Sequence, residues 1–201
     1  HVTLARIAAE KSMVLIKNNE VLPLPAETGQ KVLVLGRLAN MENTGDHASS
    51  NSTSLNITTP YEGIKAFNQT LQNEVELYDG TDNSIAADKA TQADQVIVVV
   101  GYTFEDEGAY ISFDNNMQES AEAGRLIGEK GIGGDRESLK LLPEDEALIK
   151  AISLVNENIV VVYVGVSAIN MNSWEPQVAG IIFSWYAGME GGTALANVLY
   201  G

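Results

Sequence analysis

The most hydrophobic stretch of the chain reads Asp94-Gln-Val-Ile-Val-Val-Val-Gly101. Its apolar residues follow one another without polar alternation, which is typical of a β-strand that is buried on both faces. Comparable apolar runs occur at residues 31–36, 159–165 and 179–185. Because helical patterns separate these runs, the sequence predicts an α/β fold. We expect a mostly parallel sheet of about five to six strands sandwiched between helices, with flavodoxin-like layering.

Helix and strand signals alternate through the rest of the chain. Pro143 occupies a first helical position, and three acidic residues follow it where the helix dipole favours anions. Glu74-Val-Glu-Leu-Tyr78 alternates as an edge strand does. Neither an internal repeat nor a linker divides the sequence, so residues 1–201 are predicted to form a single domain. Helices are predicted at residues 4–17, from residue 60, at residues 85–93, at residues 143–155 and at residues 191–200.

The chain is strongly acidic. It has 12 Lys and Arg residues against 27 Asp and Glu residues, a formal net charge of −15 at pH 7. Because no basic cluster interrupts this charge, neither nucleic acid nor a membrane surface is expected as a partner. The sequence has no cysteine and only two histidines, which excludes thiolate metal sites, a cysteine nucleophile and a multi-histidine metal centre. We therefore expect no metal site.

Two motifs that suggest other classes of protein are incomplete. The glycine-rich stretch Gly128-Glu-Lys-Gly-Ile-Gly-Gly134 lacks the Lys-Ser/Thr ending of a phosphate loop and does not run directly from a strand into a helix. Ser184 lacks the flanking glycines of a nucleophile elbow, and no histidine is placed to activate it. A nucleotide-binding domain and a serine hydrolase are therefore disfavoured.

Three consecutive carboxylates, Glu105-Asp106-Glu107, follow the strand that ends at Gly101. The carboxyl ends of strands in an open α/β sheet are where ligands and catalytic groups gather, so this cluster is the best candidate for chemistry. The alternative is a solvated acidic loop, since charged side chains are mostly exposed.

Two further acid-containing pairs are candidates for binding. Asp46 and His47 lie in a loop rich in Ser, Thr and Asn, where they either contact a ligand or anchor the loop itself. Asp135 and Arg136 have the residue types of a sugar clamp, because a guanidinium and a carboxylate can bind neighbouring hydroxyl groups. The alternative is that Asp135 caps a turn and Arg136 neutralises nearby acids.

Five stretches of the sequence together resemble the second, α/β sandwich domain of family 3 glycoside hydrolases. Leu4 to Pro23 is similar to the family pattern "A…S.VLLKN…LPL", and Val32 to Gly36 resembles its first strand. The resemblance covers nearly the whole chain, with the stretches in the family's order. The others are Gly45-Asp-His-Ala-Ser-Ser50 with Thr59-Pro-Tyr-Glu-Gly-Ile64, Gly134-Asp-Arg-Glu-Ser-Leu-Lys-Leu-Leu-Pro143, and Trp185-Tyr-Ala-Gly-Met-Glu-Gly-Gly192 with Leu195-Ala-Asn-Val-Leu-Tyr-Gly201.

The resemblance implies a general acid/base in this domain. In many family members a Glu before a Gly, in an "E-G-x-D-R" segment, plays that role, and Glu107 before Gly108 is the position most like it. Glu105 is the second choice and Glu129 the third, because an insertion at 109–133 separates the Glu-Gly pair from Asp-Arg here. The resemblance further implies that Asp135, Arg136, Asp46 and His47 shape the cleft and bind the carbohydrate.

The same resemblance implies a retaining, exo-acting β-glycosidase that needs neither a metal nor an organic cofactor. Its Asp nucleophile would come from a (β/α)8 barrel on the N-terminal side of the same polypeptide, and a fibronectin-like domain often follows. Like charges raise a carboxyl pKa, so Glu105 and Asp106 are expected to keep the Glu107 carboxyl protonated. We expect the isolated chain to be inactive. The alternative function is a non-catalytic carbohydrate-binding or interaction domain of the same fold.

Overall fold

A six-stranded sheet forms the centre of the computed structural model, which describes residues 1–45, 54–107, 136 and 138–201. The strands are β1 (Val14–Asn18), β2 (Lys31–Leu35), β3 (Glu74–Tyr78), β4 (Gln95–Gly101), β5 (Ile159–Val164) and β6 (Gly180–Phe183). They lie side by side in the order β1-β6-β5-β4-β2-β3. All neighbouring strands are parallel except β1, which runs antiparallel to β6. The predicted mostly parallel sheet is thereby confirmed.

Helices cover both faces of this sheet. The α-helices of the described residues are α1 (Val2–Ser12), α2 (Pro60–Thr70), α3 (Asn83–Thr91), the single turn α4 (Phe104–Glu107), α5 (Pro143–Ser153) and α6 (Gly191–Tyr200). On one face α3 and α5 pack over the central strands. On the other face α2 and α6 do so, with α1 against α6. No helix among the described residues combines the length and the hydrophobicity that crossing a membrane requires.

The two central strands are buried along their whole length, which explains their uninterrupted apolar sequences. All seven residues of β4 and all six of β5 are buried. Successive side chains of β4 point to opposite layers: Val98 packs with the α3 and α5 layer, and Val99 with the α2 and α6 layer. Burying one such side chain stabilises the fold by about 1.5 to 3 kcal/mol. The edge position predicted for Glu74–Tyr78 is confirmed.

Local signals at the start of α2 set its position against α6. The Thr59 hydroxyl accepts a hydrogen bond from the Glu62 amide at 3.2 Å, and the Thr59 amide donates to the Glu62 carboxylate at 2.9 Å. This reciprocal capping box satisfies backbone donors that a helix start leaves unpaired. Gly63 then lets the two helices touch, because a Cβ there would lie 2.0 Å from the Gly192 carbonyl oxygen.

The first strand corrects one prediction from the sequence. A helical period extends from Leu4 to Lys17, but α1 ends at Ser12 and Val14–Asn18 form β1. Met13 is already extended, and Val14 pairs with Phe183 of β6. The physical reason is tertiary: the backbone of this stretch, which contains two β-branched residues, pairs with β6 and extends the sheet.

Candidate active site

The carboxyl ends of β2, β4, β5 and β6 meet at one edge of the sheet. Arg37 lies just beyond β2, Tyr102 just beyond β4, and Trp185 just beyond β6. The turn α4 follows β4 after two residues, so its backbone begins at this same edge. The sequence prediction that the carboxylate cluster leaves a buried strand is therefore confirmed.

Gly101, the last residue of β4, lets the chain leave the sheet in close contact with β5. Its φ angle is +133°, which L side chains rarely adopt, and a Cβ there would lie 1.9 Å from the Val164 carbonyl oxygen. That carbonyl instead accepts a hydrogen bond from the Tyr102 amide at 2.9 Å. The glycine thus fixes the direction in which the segment toward α4 departs.

An ion-pair cluster around Arg37 holds the beginning of this segment. The Arg37 guanidinium Nη2 donates to the Gly101 carbonyl oxygen and, at 2.9 Å, to Asp106 Oδ2. The same carboxylate oxygen accepts from the Thr103 amide at 2.9 Å and from the Thr103 hydroxyl at 3.0 Å. Arg37 and Thr103 therefore tie Asp106, the residue next to Glu107, to the ends of β2 and β4.

Asp145, in the first turn of α5, is the second carboxylate of the cluster around Arg37. Its side chain is buried, Oδ2 accepts from the Gly101 amide at 3.3 Å, and it lies 3.7 Å from Arg37 Nε. Burial raises the pKa of Asp145 to about 6, with the Arg37 charge and the Gly101 hydrogen bond acting in the opposite direction. The sequence interpretation explained the acids after Pro143 by the helix dipole alone and did not anticipate this buried role.

Pairing with Arg37 changes the electrostatic role expected of Asp106. The sequence suggested that Asp106 raises the pKa of its neighbour Glu107 by like-charge repulsion. In the structure the guanidinium offsets the charge of Asp106 at 2.9 Å. The effect of its neighbours on the Glu107 pKa stays a prediction from the sequence.

Arg136, one of the predicted binding residues, lies at the same edge. Its guanidinium carbon sits 4.0 Å above the centre of the Tyr102 ring, and Nη2 donates to the Ser167 hydroxyl. The Tyr102 hydroxyl donates to the Lys140 carbonyl oxygen. This cation–π contact and the hydrogen bond place Arg136 next to the exit of β4, where a carbohydrate-binding role remains a prediction.

The remaining predicted site residues lie in α4 or outside the described residues. Of Glu105 and Glu107 the structure describes the backbone only, within α4. The other four, namely Asp46, His47, Glu129 and Asp135, lie outside the described residues.

An aromatic residue that the sequence analysis did not single out as a site residue also stands at this edge. Trp185 has a φ angle of +57°, rare for a bulky side chain, and remains 38% exposed. Its ring stacks on Phe183 with centroids 3.9 Å apart, and its indole N–H donates to the Ser12 carbonyl at 2.9 Å. Met41, Asn43 and Trp185 border a shallow depression at this end of the sheet. Positive φ at a bulky residue can mark a functional site, but the sequence gives no direct signal of it.

Within residues 1–45, 54–107, 136 and 138–201, no group of three or more Asp, Glu, His or Cys side chains is arranged to hold a metal ion. The ionic groups described at the carboxyl edge combine the Asp106 and Asp145 carboxylates with the Arg37 guanidinium, an arrangement of ion pairs and charge-assisted hydrogen bonds.

Comparison with known proteins gives matches along the whole chain. Residues 13–201 match the family model described as the glycosyl hydrolase family 3 C-terminal domain. The chain is 30% identical, over its full length, to an exo-alpha-(1->6)-L-arabinopyranosidase of Bifidobacterium longum and to beta-glucosidase 1 of Aspergillus aculeatus. It spans 25% and 23% of those two proteins, respectively, or about a quarter of each.

Solved structures agree with this match. The crystal structure of a GH3 beta-glucosidase from Bifidobacterium adolescentis superposes with a TM-score of 0.74 at 28% identity, covering 99% of this chain and 27% of that one. A GH3 exo-beta-xylosidase, at 24% identity and a TM-score of 0.75, shares the fold. With the family model covering residues 13–201, the chain belongs to the glycosyl hydrolase family 3 C-terminal domain family.

Proposed function

We propose that this chain is the C-terminal domain of a retaining, exo-acting β-glycosidase and that Glu107 is its general acid/base. One observation carries the proposal: α4, with Glu107 at its end, follows the fully buried strand β4 at the carboxyl edge, and Arg37 and Thr103 hold it there through Asp106. The names of the relatives, an arabinopyranosidase and a beta-glucosidase, support an activity on terminal sugars.

The proposed reaction is a double displacement. Retaining glycosidases use two carboxyl groups about 5 to 5.5 Å apart, one as nucleophile and one as proton donor to the leaving oxygen. Glu107 would protonate the glycosidic oxygen and later activate the water that releases the sugar. The nucleophile would be an Asp of the N-terminal (β/α)8 barrel, in the same polypeptide. Residues 1–201 would then form a single domain that is inactive alone.

The other predicted residues would bind the carbohydrate beside this carboxyl. A guanidinium has five donors in a fixed plane, so Arg136, held over Tyr102, can offer N–H groups to adjacent hydroxyls. Asp135 would accept from the same hydroxyls, and Asp46 with His47 would shape the cleft. Because both chemical steps use carboxyl groups, the proposed reaction requires neither a metal nor an organic cofactor.

Substitution of the proposed acid/base in the full-length enzyme tests this function. Glu107→Gln should lower kcat by more than about a hundredfold on a methyl β-glucoside, whose leaving group needs protonation. On a dinitrophenyl β-glucoside the first step should persist, and azide should restore turnover by attacking the glycosyl-enzyme. Glu74→Gln on the exposed edge strand is the matched control and should leave both rates unchanged.

The outcomes separate the competing assignments. If Glu105→Gln shows the leaving-group dependence and Glu107→Gln does not, the second choice is the acid/base. If neither substitution changes the kinetics, the acid/base assignment is refuted. Carbohydrate binding without any turnover by the unsubstituted full-length protein would instead favour the non-catalytic binding domain.

A further inference from the structure

We propose that Arg37 is a positioning residue, which fixes the turn that presents the general acid/base. This inference rests on the proposed role of Glu107. Arg37 contacts none of the sugar in this scheme, and it acts by holding the segment between Gly101 and Asp106 with one guanidinium group.

The need for such an anchor follows from the size of α4. The helix has four residues, so it contains a single turn and cannot stabilise itself, because helix nucleation is costly and is recovered only by further turns. Its position must therefore come from contacts to the rest of the fold. Asp106 Oδ2 accepts three such contacts, one from Arg37 Nη2 and two from the amide and hydroxyl of Thr103.

The anchor itself is well supported. Arg37 Nη2 also donates to the Gly101 carbonyl oxygen, and Nε faces the buried Asp145 carboxylate at 3.7 Å. Arg37 is thus connected to β4 and α5 as well as to α4. The Arg37 and Asp106 side chains are 26% and 11% exposed, so their pair is only partly screened by solvent.

An arginine suits this position better than a lysine does. The guanidinium presents several N–H groups in one rigid plane, so it can bond a carbonyl and a carboxylate while a further N–H faces a second carboxylate. A lysine ammonium is a compact point charge on a flexible stem. Arg37→Lys should therefore keep the attraction to Asp106 but lose the fixed geometry.

Positioning has a kinetic signature of its own. Displacing a proton donor by about 1 Å can cost on the order of a hundredfold in rate. The loss in kcat/KM, which reports the first step, should be confined to substrates whose leaving group needs the proton, because the nucleophile and the sugar site are intact. The second step, in which Glu107 would activate water, should slow on both classes of substrate and be relieved by azide. If the ion pair were purely structural, its loss would lower the free energy of unfolding. The rate per folded molecule would then stay at the wild-type value on both classes of substrate.

The test compares variants of the full-length enzyme on methyl and dinitrophenyl β-glucosides. Arg37→Met and Asp106→Asn should each lower kcat/KM on the methyl glucoside by about ten- to a hundredfold and leave kcat/KM on the dinitrophenyl glucoside little changed, with azide restoring any loss of kcat on the latter. Arg37→Lys should recover part of the loss. Arg6→Met, which removes a partly exposed arginine paired with Glu10 on α1, is the matched control and should leave both rates unchanged.

The results distinguish this inference from the proposed function. If Glu107→Gln shows the leaving-group signature while Arg37→Met and Asp106→Asn do not, the positioning role is wrong and the acid/base assignment stands. If Glu107→Gln has no effect, the assignment on which the inference rests fails, whatever Arg37 does. Should Arg37→Met not fold, as judged by circular dichroism, Asp106→Asn and Arg37→Lys decide the question by the same ratio of rates.

Discussion

The buried Asp145 carboxyl predicts an unusual dependence of stability on pH. Asp145→Asn removes the titration while keeping the size of the side chain and an oxygen that can accept from the Gly101 amide. The charged groups that act on this carboxyl are Arg37, Asp106 and Glu144. Desolvation has the largest effect among the causes, so the folded state holds the proton more tightly than the unfolded chain does.

The magnitude follows from the two pKa values. The pKa of Asp145 is raised from an ordinary 3.8 to about 6 in the folded protein. Because it is raised, the stabilisation is fully present below the ordinary value and is lost as the pH rises through about 6. The whole loss is about 3 kcal/mol, of which about 1.4 kcal/mol falls between about pH 5 and about pH 8. Wild type should therefore lose this amount relative to Asp145→Asn over that interval.

Urea unfolding measured by tryptophan fluorescence can test this figure, because Trp174 is 1% exposed and reports on the core. The two free energies of unfolding are compared at about pH 5 and about pH 8, so any constant effect of the amide cancels. Asp88→Asn on the exposed side of α3 controls for the loss of one negative charge. A pH-independent difference would mean that Arg37 and the Gly101 hydrogen bond cancel the effect of burial, and one that changes in the opposite direction would mean that they outweigh it; either result would refute the reasoning.

Three further outcomes are expected. Gly101→Ala should destabilise the chain by on the order of 3 kcal/mol, since φ is +133° and the new Cβ meets the Val164 carbonyl; a change below about 0.5 kcal/mol in urea unfolding would contradict this. Thr59→Ala should cost about 1 kcal/mol through the lost cap on Glu62, whereas Thr59→Ser should retain most of it in the same assay. The 201-residue chain alone should not hydrolyse an aryl β-glucoside, and turnover at an enzyme-like rate would show that it needs no barrel.

The sheet could be predicted largely from sequence because its central strands are buried on both faces. Continuous apolar runs at β4 and β5 record that burial directly, and the alternation at β3 records its edge position. The strand β1 could not be recognised, because its apolar residues fit a helical period and only pairing with β6 decides between the two structures.

The candidate site was predictable only in part, for a related reason. A carboxylate that follows a strand is a local pattern, so the acidic segment ending at Glu107 could be identified from the sequence. The contact of Arg37 with Asp106 joins residues that are 69 positions apart in the sequence, so no local sequence pattern indicates it. Asp145 resembled an ordinary helix-start acid until its neighbours in space were known.

The reversed direction of β1 gives the chain an unexpected route into the domain. Val14 pairs with Phe183 at the carboxyl end of β6, and the Ser12 carbonyl oxygen accepts a hydrogen bond from the Trp185 indole N–H. The end of α1 therefore joins the sheet at its carboxyl edge, whereas a parallel strand would have joined it at the opposite one. In the proposed enzyme, α1, a helix about 16 Å long, would tether the barrel to the edge of the sheet at which the segment toward Glu107 also begins. Such a tether keeps the two catalytic halves at high effective concentration, even where the surfaces between them bind weakly.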